Sequence, residues 1–577
     1  MSRQSDEKPA EAMHVEDSPK TLDVNLSYND DEEPEFHART WFALAAMWLL
    51  NMVQVFALLG PPSALSYIEA DLNSTAAGNW VPNSLSLVQA VFAPLIASIS
   101  DTFQARKLLL VGASAISFIG AAIAPGSASI YRVIGAQIMI GIGFATVPLA
   151  YCIPSEILPR KWRPMAQAGM NIAAVVGATS GPLIIGALTK ANPSTGWRKF
   201  YWIQMALWGA TALGLLFGYT PPKRHTALDH LSLREKVGSI DILGFFLLSA
   251  GIALFLAGLN LGGGLFTWTS TPVLATLIIG ILVLVVFGVY EWRFTRTGIL
   301  HHDLFQGGSK HRGRTFAICV GLIFVEGVLL FAYALFYPVM ISNLFETDPF
   351  LQSVRQIPFW LAAAVGTVLY GTWSTKRKTI RSPMMVGYIL LTAGMVGFAT
   401  IQPDDNQSTW GFAVLAGMGF GAPLILVIVG VQLSTPHHLI ATATAATTCS
   451  RAAAVAVFSA IASAALNTRL EKYIPEYIAS SALQAGLPPD SLDVFIRAIT
   501  ASSPPPGLQD VPGITQSIID AGYAALKQAY ADGLRVVFII AAPFGVLACI
   551  ATLFLGDVAD VMDYEVEAPV EELRAKQ

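Results

Sequence analysis

The sequence predicts an all-α integral membrane protein whose helices form two pseudo-symmetric bundles of six. Hydrophobic residues make up 54% of the 577 residues and charged residues only 13%, whereas soluble chains carry about 25% charged residues. Apolar runs of the roughly 20 residues that cross hydrocarbon as a helix recur along almost the whole chain. A short glycine motif also occurs twice, at corresponding places in the two halves of the chain.

Fourteen apolar runs are predicted to span the membrane. They fall near residues 41–60, 80–100, 107–125, 132–151, 165–188, 200–219, 240–260, 273–291, 315–341, 354–373, 383–401, 410–431, 440–466 and 534–555. An even number of spans places both ends of the chain on the same side of the membrane.

The loops differ in charge in a way that predicts which side is cytoplasmic. One set of alternate loops holds 18 Lys and Arg residues, while the short loops of the other set hold five. Cytoplasmic loops carry the excess of basic residues, so the basic loops and both termini are predicted to be cytoplasmic. Two glycosylation sequons, at Asn73 and Asn406, fall in loops of the opposite side.

Both predicted cytoplasmic ends are polar. Residues 1–38 contain eleven acidic residues against Arg3, Lys8 and Lys20. A segment with so few apolar residues cannot offset the entropy of ordering, so we expect a disordered acidic tail. Residues 556–577 are expected to form a second cytoplasmic tail.

An internal repeat predicts two parallel halves. The fourth span contains GIGFATVP (Gly141–Pro148) and the twelfth contains GMGFGAP (Gly417–Pro423). Basic clusters follow both the second and the tenth span. Parallel six-helix halves with a substrate site between them are a transporter architecture. We therefore assign residues 41–219 and 315–555 to the two bundles and 220–314 to a linker with two inserted spans.

Residues 467–533 are predicted to form a long extracellular loop within the second bundle. Prolines punctuate the loop, and the amphipathic stretch SLDVFIRAI predicts a short surface helix. Two interpretations stay open: a cap or gate over a transport path, and a plain linker.

Motifs of other function classes are missing from the sequence. It contains no P-loop, nucleophile elbow or zinc signature. The pairs His301-His302 and His437-His438 are adjacent rather than one helical turn apart, and the four cysteines lie far apart. We therefore expect no enzyme, no cofactor, no bound metal and no nucleic-acid partner.

Four stretches carry a resemblance to a known family. ASISDTFQARK follows the second span, GATSGPLIIG lies in the fifth, and GWRKFYWIQ precedes the sixth. DILGFFLLSAGIALFLAGLNLGGGLFTW is similar to a seventh span and its loop. Over roughly residues 40–560 the chain resembles the major facilitator superfamily. The resemblance is nearest to the fourteen-span drug:proton antiporters of fungi, a branch with trichothecene efflux pumps and siderophore transporters.

The fifth span resembles the motif associated with antiporters, with matches at Gly177, Gly181, Pro182 and Gly186. Glycines four residues apart share a helix face and let a neighbouring backbone approach closely, and proline bends the helix. The resemblance implies a tight seam that resists leak and favours exchange. Ordinary helix packing is the alternative.

The loop after the second span implies a cytoplasmic latch. Asp101 and Arg106 match the family motif, Lys107 adds a second basic charge, and Glu156 lies beside another basic loop. A carboxylate near a helix terminus can pair with basic groups and hold one half against the other. The alternative is that these charges anchor the loop or are solvated.

Two charged residues lie deep inside predicted spans: Glu326 in the ninth and Arg451 in the thirteenth. Ionisable groups within the membrane are costly and often functional. We expect Glu326 to carry a coupled proton, and Arg451 to pair with it or with a substrate carboxylate. A neutral packing role for Glu326 and a contact of Arg451 with backbone carbonyls are the alternatives.

Uncharged polar and aromatic residues within the spans predict a cavity wall. They are Asn51, Gln54, Gln89, Gln137, Gln167, Asn171, Phe331, Tyr333, Phe336 and Tyr337. A largely apolar cavity with few fixed polar groups suits amphipathic organic molecules, although each residue alone could serve helix packing. At Gln137 many relatives carry an embedded Arg, so that part of their proton mechanism does not carry over.

Together these features predict a proton-coupled efflux transporter that exports an amphipathic organic compound, such as a toxin, a secondary metabolite or a drug, by alternating access. Its partners would be this substrate, protons and the lipid bilayer. We expect a monomer in the plasma membrane, with the vacuolar membrane as the alternative. Proton-coupled uptake of siderophore-bound iron is the alternative function within this fold, and a non-cycling receptor or channel is the alternative of another class.

Overall fold

A computed structural model gives the arrangement of most of the chain. It describes residues 33–74, 77–78, 80–222, 238, 241–262, 266–295, 298–299, 302–306, 310–501, 511–571 and 574–575. The described residues are almost entirely helical, apart from a two-residue antiparallel pair of β1 (Pro34–Glu35) with β2 (Arg574–Ala575). Most of the predicted acidic tail and much of the predicted linker lie outside the described residues.

Eight helices form the first half of the molecule. They are α1 (Ala38–Leu59), α2 (Leu65–Asp71), α3 (Trp80–Phe103), α4 (Arg106–Ile123), α5 (Ile130–Phe144), α6 (Val147–Ile157), α7 (Arg163–Ala191) and α8 (Gly196–Gly218). Helices α5 and α6 are two parts of one predicted span, separated at Ala145 and Thr146 just before Pro148.

A hairpin of two helices and then the second half follow along the chain. They are α9 (Ile242–Gly262), α10 (Thr271–Arg293), α11 (Asp303–Gln306), α12 (Lys310–Met340), α13 (Pro349–Val354), α14 (Ile357–Arg377), α15 (Arg381–Phe398), α16 (Asn406–Ser434), α17 (Ile440–Gln484), α18 (Leu492–Ala501) and α19 (Gln516–Thr552). A π-helical turn, Ile341–Phe345, ends α12.

Twelve helical segments of the described chain are long and apolar enough to cross a membrane. Twelve of the fourteen predicted spans therefore coincide with such segments. The other two coincide with α14 and α15, which are less apolar. Helix α14 ends in Ser374, Thr375, Lys376 and Arg377, and α15 has only 18 residues and begins at Arg381.

Each half has its own hydrophobic core. One core gathers residues of α1 to α8, such as Leu50, Trp208 and Leu215. The other gathers residues of α12 to α19, such as Tyr333, Tyr388 and Phe538. The two halves therefore pack as separate bundles, with contacts between them concentrated along α3, α7, α14 and α17.

The repeated glycine motif has the same packing role in both halves. In the first half, Gly141 faces Val88 of α3 and Gly143 faces Ser117 of α4. In the second half, Gly417 faces Phe359 of α14 and Gly419 faces Leu391 of α15. In both motifs the first glycine thus meets the second long helix of its bundle and the second glycine meets the third. This correspondence agrees with a duplicated bundle.

The inserted hairpin α9–α10 lies at the periphery. Helix α9 packs against α3 and α17, and the amide Nδ2 of Asn83 donates a 2.5 Å hydrogen bond to Oδ1 of Asn260. Large apolar side chains on the outer surface of α10, including Ile278, Leu282 and Val286, are exposed. These surfaces suit contact with lipid rather than with the core.

The segment predicted as a long loop is mostly helical, which corrects that expectation. Helix α17 continues 18 residues beyond the predicted end of its span, and α19 begins at Gln516, well before its span. With α18 these extensions form a small core of their own that includes Ile478, Phe495 and Ile518. The polar residues after position 466 end the apolar run but not the helix, because Arg, Glu and Lys are good helix formers.

Replacing Gly177 by alanine should destabilise the protein by about 1–3 kcal/mol, the usual cost of overpacking. An added Cβ would overlap the carbonyl oxygen of Met52 in α1. The matched control is Gly169→Ala in the same helix, where a Cβ meets nothing within 4 Å. Thermal unfolding of the purified variants in detergent measures the effect. Equal unfolding temperatures would contradict close packing of α1 on α7.

Candidate functional site

A central cavity of about 110 Å³ lies between the two halves. Its wall is largely apolar and aromatic, with a few polar groups from both halves. The aromatic and polar lining residues are Phe144, Tyr151, Phe331, Trp360 and Phe420, and Asn51, Ser86, Gln89, Asn171, Thr448 and Arg451. Pockets for drug-sized ligands measure about 300–1,000 Å³, so this cavity is smaller than the pocket such a molecule needs.

Four of the ten predicted cavity residues line this cavity: Asn51, Gln89, Asn171 and Phe331. Three predicted amides do not. The amide of Gln54 donates to the carbonyl oxygen of Gly143 and the hydroxyl of Thr146, both at 3.0 Å. Gln167 donates at 2.7 Å to the carbonyl oxygen of Tyr151 and to the Ser155 hydroxyl, and Gln137 is buried within the first half.

Three predicted aromatic residues of α12 also lie outside the cavity lining. Tyr333 stacks on Phe359 with ring centroids 3.8 Å apart, and on Tyr337 at 4.7 Å. Phe336 packs edge-on against Phe458. These rings fill the core of the second half, because they lie on other faces of α12 than Phe331.

A buried ion pair joins two helices of the second half beside the cavity. The Nε of Arg451 in α17 donates a 2.8 Å hydrogen bond to Oε2 of Glu326 in α12. The carboxylate is fully buried, while the Arg451 side chain is 18% exposed and lines the cavity. Arg451 therefore stands between Glu326 and any bound molecule.

A glycine next to Glu326 brings these two helices together. A Cβ at Gly327 would lie 3.1 Å from the carbonyl oxygen of Arg451 and 3.0 Å from Cβ of Ala454. Such small-residue contacts let membrane helices approach closely. The backbone approach places the carboxylate and the guanidinium within hydrogen-bonding distance.

Tyr151 is a cavity residue that the sequence pattern did not single out. It is buried and lines the cavity together with Asn51 of the first half and Arg451 of the second half. Tyr151 and Asn51 belong to the first half. The polar side chains around the cavity therefore extend from Glu326 in the second half to the opposite bundle. The one signal in the sequence was a phenol inside an apolar span, three residues after Pro148.

The halves also meet at the end of the bundle that carries most of the Arg and Lys side chains, termed here the basic face. The Asp101 carboxylate of α3 accepts hydrogen bonds from the backbone nitrogen of Thr442, at 3.0 Å, and from its hydroxyl, at 2.9 Å. Thr442 lies in the first turn of α17, where a negative charge is favourable. This contact joins the first half to the second.

Arg106 holds Asp101 and Glu156 in one cluster. Its guanidinium forms a 2.7 Å hydrogen bond and a second ion contact with the fully buried Glu156, and lies 3.4 Å from Asp101. Lys107 is half-exposed at the start of α4 and forms no ion pair with an acid within the described residues. The geometry thus gathers three of the four predicted latch residues.

At the opposite end the seam is formed by α7 and α13. The Ser353 hydroxyl donates to the carbonyl oxygen of Pro182 at 3.2 Å, and Gly186 faces Pro349 and Phe350. Gly177 and Gly181 instead face α1. Gly186, five residues after Gly181, therefore faces the second half rather than α1.

Lys190 and Asp348 extend this seam with an ion pair of 2.5 Å. The hydrogen bond from Lys190, together with backbone hydrogen bonds from Phe350 and Leu351, holds the pKa of Asp348 below its ordinary value. Near neutral pH the carboxylate is therefore charged and the pair is intact.

Both sequon asparagines lie at this opposite end. Asn73 is exposed, with Thr75 of its sequon outside the described residues. Asn406 is exposed at the start of α16, and its Oδ1 accepts a 2.6 Å hydrogen bond from Arg355. Glycosylation of either residue stays a prediction.

Solved structures identify the class of this fold. A bacterial homolog of the human lysosomal transporter Spinster matches with a TM-score of 0.51 at 16% identity, covering 90% of this chain and 98% of that chain. The proton:xylose symporter XylE, a major facilitator superfamily protein, gives 0.52 at 12% identity, covering 89% and 94%. The chain has the fold of major facilitator transporters.

Sequence comparison narrows this class. The model of the fungal trichothecene efflux pump family (TRI12) matches residues 17–571, so the chain belongs to that family. Relatives include the MFS-type efflux transporter ffsH of Aspergillus flavipes, 24% identical over 96% of this chain and 92% of the relative. The efflux pump FUS6 of Gibberella fujikuroi is 24% identical over 94% and 93%. The chain is therefore a membrane transporter of an efflux-pump family.

Removing one partner of the Glu326–Arg451 pair should cost about 3 kcal/mol of stability, because it leaves the other group buried without its partner. Glu326→Gln and Arg451→Gln are each expected to lower the unfolding temperature. The double variant should lose clearly less than the sum of the two, as contacting residues do. Additive losses in a double-mutant cycle in detergent would contradict a direct pair.

Proposed function

We propose that this protein exports an amphipathic organic compound in exchange for protons by alternating access. The observation that carries the proposal is the apolar cavity between the halves, with Arg451 on its wall and Glu326 paired behind it. A toxin, a secondary metabolite or a drug would be the cargo. Proton coupling and the cargo are our assignment, supported by the arguments below.

The cavity chemistry supports an amphipathic cargo. The wall presents rings such as Trp360 and Phe420 together with the amides of Asn51 and Asn171. Apolar area gives affinity without demanding one shape, and a few polar groups fix orientation. Arg451 lines the cavity, and a guanidinium has several N–H groups that can donate to a carbonyl or carboxylate oxygen of a bound molecule.

The pairing of Arg451 with Glu326 supports a coupling between proton binding and cargo binding. While Glu326 is charged, it holds the guanidinium of Arg451 on the cavity wall, where the guanidinium can donate to an acceptor on the cargo. After Glu326 takes up a proton, that attraction falls, Arg451 leaves this position and cargo binding weakens. Loss of the proton restores the pair and the cargo site, so cargo and proton would occupy the site in alternation, as exchange requires. Tyr151 of the first half lines the same cavity as Arg451, so a movement of Arg451 would change the contacts between the two halves.

The contacts at the two ends support alternating access. Asp101–Thr442 closes the basic face, while Ser353–Pro182 and Lys190–Asp348 close the opposite face. All three join the two halves through polar groups, whose hydrogen bonds water can replace when the halves separate. Breaking one set at a time would open the cavity to one side only.

Topology completes the proposal. Helices α14 and α15, of 21 and 18 residues, are about 32 and 27 Å long at 1.5 Å per residue, enough to span with the other twelve and give fourteen spans. We assign residues 41–219 and 315–555 to the moving bundles. The excess of basic residues assigns the basic face to the cytoplasm. A monomer in the plasma membrane is the simplest arrangement, and fluorescence of a tagged chain distinguishes it from the vacuolar membrane.

In reconstituted vesicles, Glu326→Gln should abolish transport driven by a pH gradient, because the amide cannot carry the proton. Cargo-for-cargo counterflow should persist, since it needs no net proton movement. The probe is a labelled amphipathic compound that the unchanged protein transports. Glu471→Gln, an exposed acid on the extension of α17, is the control and should transport normally.

Other outcomes would select other functions. Full gradient-driven transport by Glu326→Gln would remove Glu326 from the coupling. Iron-starvation growth defects on deletion, without accumulation of the labelled compound in cells, would indicate siderophore uptake. Absence of counterflow in the unchanged protein for every compound tested would favour a receptor that does not cycle.

A further inference from the structure

The chain beyond α19 crosses the basic face from the second half to the first. Val558 and Met562 are buried in the core of the second half, and further on Val570 packs against the core of the first half. Residues 563–571, termed here the acidic strap, connect these two anchor points. Part of residues 556–577, which were expected to form a cytoplasmic tail, is thus packed against both halves.

Backbone hydrogen bonds align the strap with the connection between α6 and α7. The carbonyl oxygen of Asp563 accepts from the nitrogen of Lys161 at 2.8 Å, and that of Glu565 accepts from the nitrogen of Arg160 at 3.1 Å. The nitrogen of Ala568 donates to the carbonyl oxygen of Glu156 at 2.9 Å. Contacts of this kind fix one register of the strap along the first half.

Acidic side chains of the strap pair with basic side chains of the first half. Arg160 binds Glu565 through two nitrogen–oxygen contacts of 2.5 and 3.0 Å and reaches Glu567 at 3.0 Å. Lys161 donates to the Tyr564 hydroxyl at 2.8 Å. Such bidentate Arg–carboxylate pairs are the stronger kind of ion pair.

Glu567 is the one strap carboxylate that the described contacts place between both halves. Its Oε2 lies 2.7 Å from Nη2 of Arg163 in α7 and 2.7 Å from Nδ1 of His437, just before α17. Burial by itself would raise the pKa of this carboxyl, but Arg163, His437 and Arg160 together hold it below its ordinary value. Glu567 is therefore ionised near neutral pH, and its protonation does not release the strap there.

Arg163 of the first half also contacts both halves. The buried guanidinium donates at 3.1 Å to the carbonyl oxygen of Ser155 in its own half and at 2.8 Å to that of Gln432 in the second half. Without Glu567 this buried cation would lose the carboxylate 2.7 Å away, which is costly. The site is therefore built for a carboxylate.

We propose that Arg160, Arg163 and His437 form a binding site for the chain's own acidic strap, and that the bound strap holds the basic face closed. The inference rests on the proposed alternating access, in which the halves separate at this face. Separation pulls Arg163 away from His437, so Glu567 must leave one of them. The strap thus adds a second closure beside the Asp101–Thr442 contact.

The test measures opening of the basic face without measuring transport. Leu433 is buried and lies beside Glu567 in the pocket under the strap. A Leu433→Cys reporter, in a chain whose four native cysteines are replaced by alanine, is exposed to a water-soluble maleimide in detergent. Glu567→Gln should raise the labelling rate at least threefold, because the neutral amide cannot bridge Arg163 and His437.

The control is Asp557→Asn, which makes the same charge change in the same tail. Asp557 accepts a hydrogen bond from the nitrogen of Ala559 and lies before the strap. Its labelling rate should equal that of the parent. Equal rates for Glu567→Gln and Asp557→Asn would overturn the proposal. Should Glu567→Gln aggregate, Glu565→Gln, which removes the charge that pairs with Arg160, replaces it with the same expectation.

A disulfide provides the opposite perturbation. Lys161→Cys and Asp563→Cys, in the same cysteine-free chain, would cross-link the strap to the first half. The backbone nitrogen of residue 161 and the carbonyl oxygen of residue 563 lie 2.8 Å apart. Oxidation should suppress turnover at least tenfold, reduction should restore it, and each single cysteine should be insensitive. Undiminished turnover of the cross-linked protein would overturn strap release. Loss of turnover in the reduced protein too would count against the proposed exchange. The labelling rates of Leu433→Cys would still decide whether the strap holds the basic face closed.

Discussion

Hydrocarbon cannot solvate charge, and this constraint organises the molecule from the inside outwards. Glu326 is fully buried and Arg451 nearly so, which is tolerable only because each neutralises the other at 2.8 Å. Their pairing needs the close approach of α12 to α17 that Gly327 permits. Because Arg451 also lines the cavity, the proposed exchange can act on this pair: a proton on Glu326 would weaken it.

The same constraint separates permanent contacts from exchangeable ones. Within each half, helices meet through glycines such as Gly141, Gly177 and Gly417, which let a neighbouring helix pack closely. Between the halves, closure at both ends depends on carboxylates, hydroxyls and carbonyl oxygens such as those of Asp101 and Pro182. Water can take over these polar contacts when the halves separate. A rigid interior and a reversible seam therefore follow from where apolar and polar residues are placed.

Sequence patterns predicted those features that depend only on the residues of a single helix. The spans, Glu326, Arg451 and the glycine repeat were visible because a charge or a glycine stands out in an apolar run. Which face of a helix meets the cavity depends on packing between distant spans, so Gln54 and Tyr333 were misplaced and Tyr151 was not recognised. The short helix α18 was predicted from SLDVFIRAI, but the extensions of α17 and α19 were missed because polarity ended the apolar run without ending the helix.

The tail shows most clearly why composition alone misleads. A short acidic segment reads as solvated when its own residues are counted, because its partners lie some 400 positions away in the chain, as Glu565 and Arg160 do. Those partners belong to the basic loops that predict orientation in the membrane. In the proposed topology Arg160 and Arg163 therefore serve twice, first by retaining their loop on the cytoplasmic side and then by binding the acids that reach the same side. Both ends of the described chain meet at this face, with Thr40 bound to Glu571, so the charge asymmetry that would orient the protein would also supply the site proposed to close it.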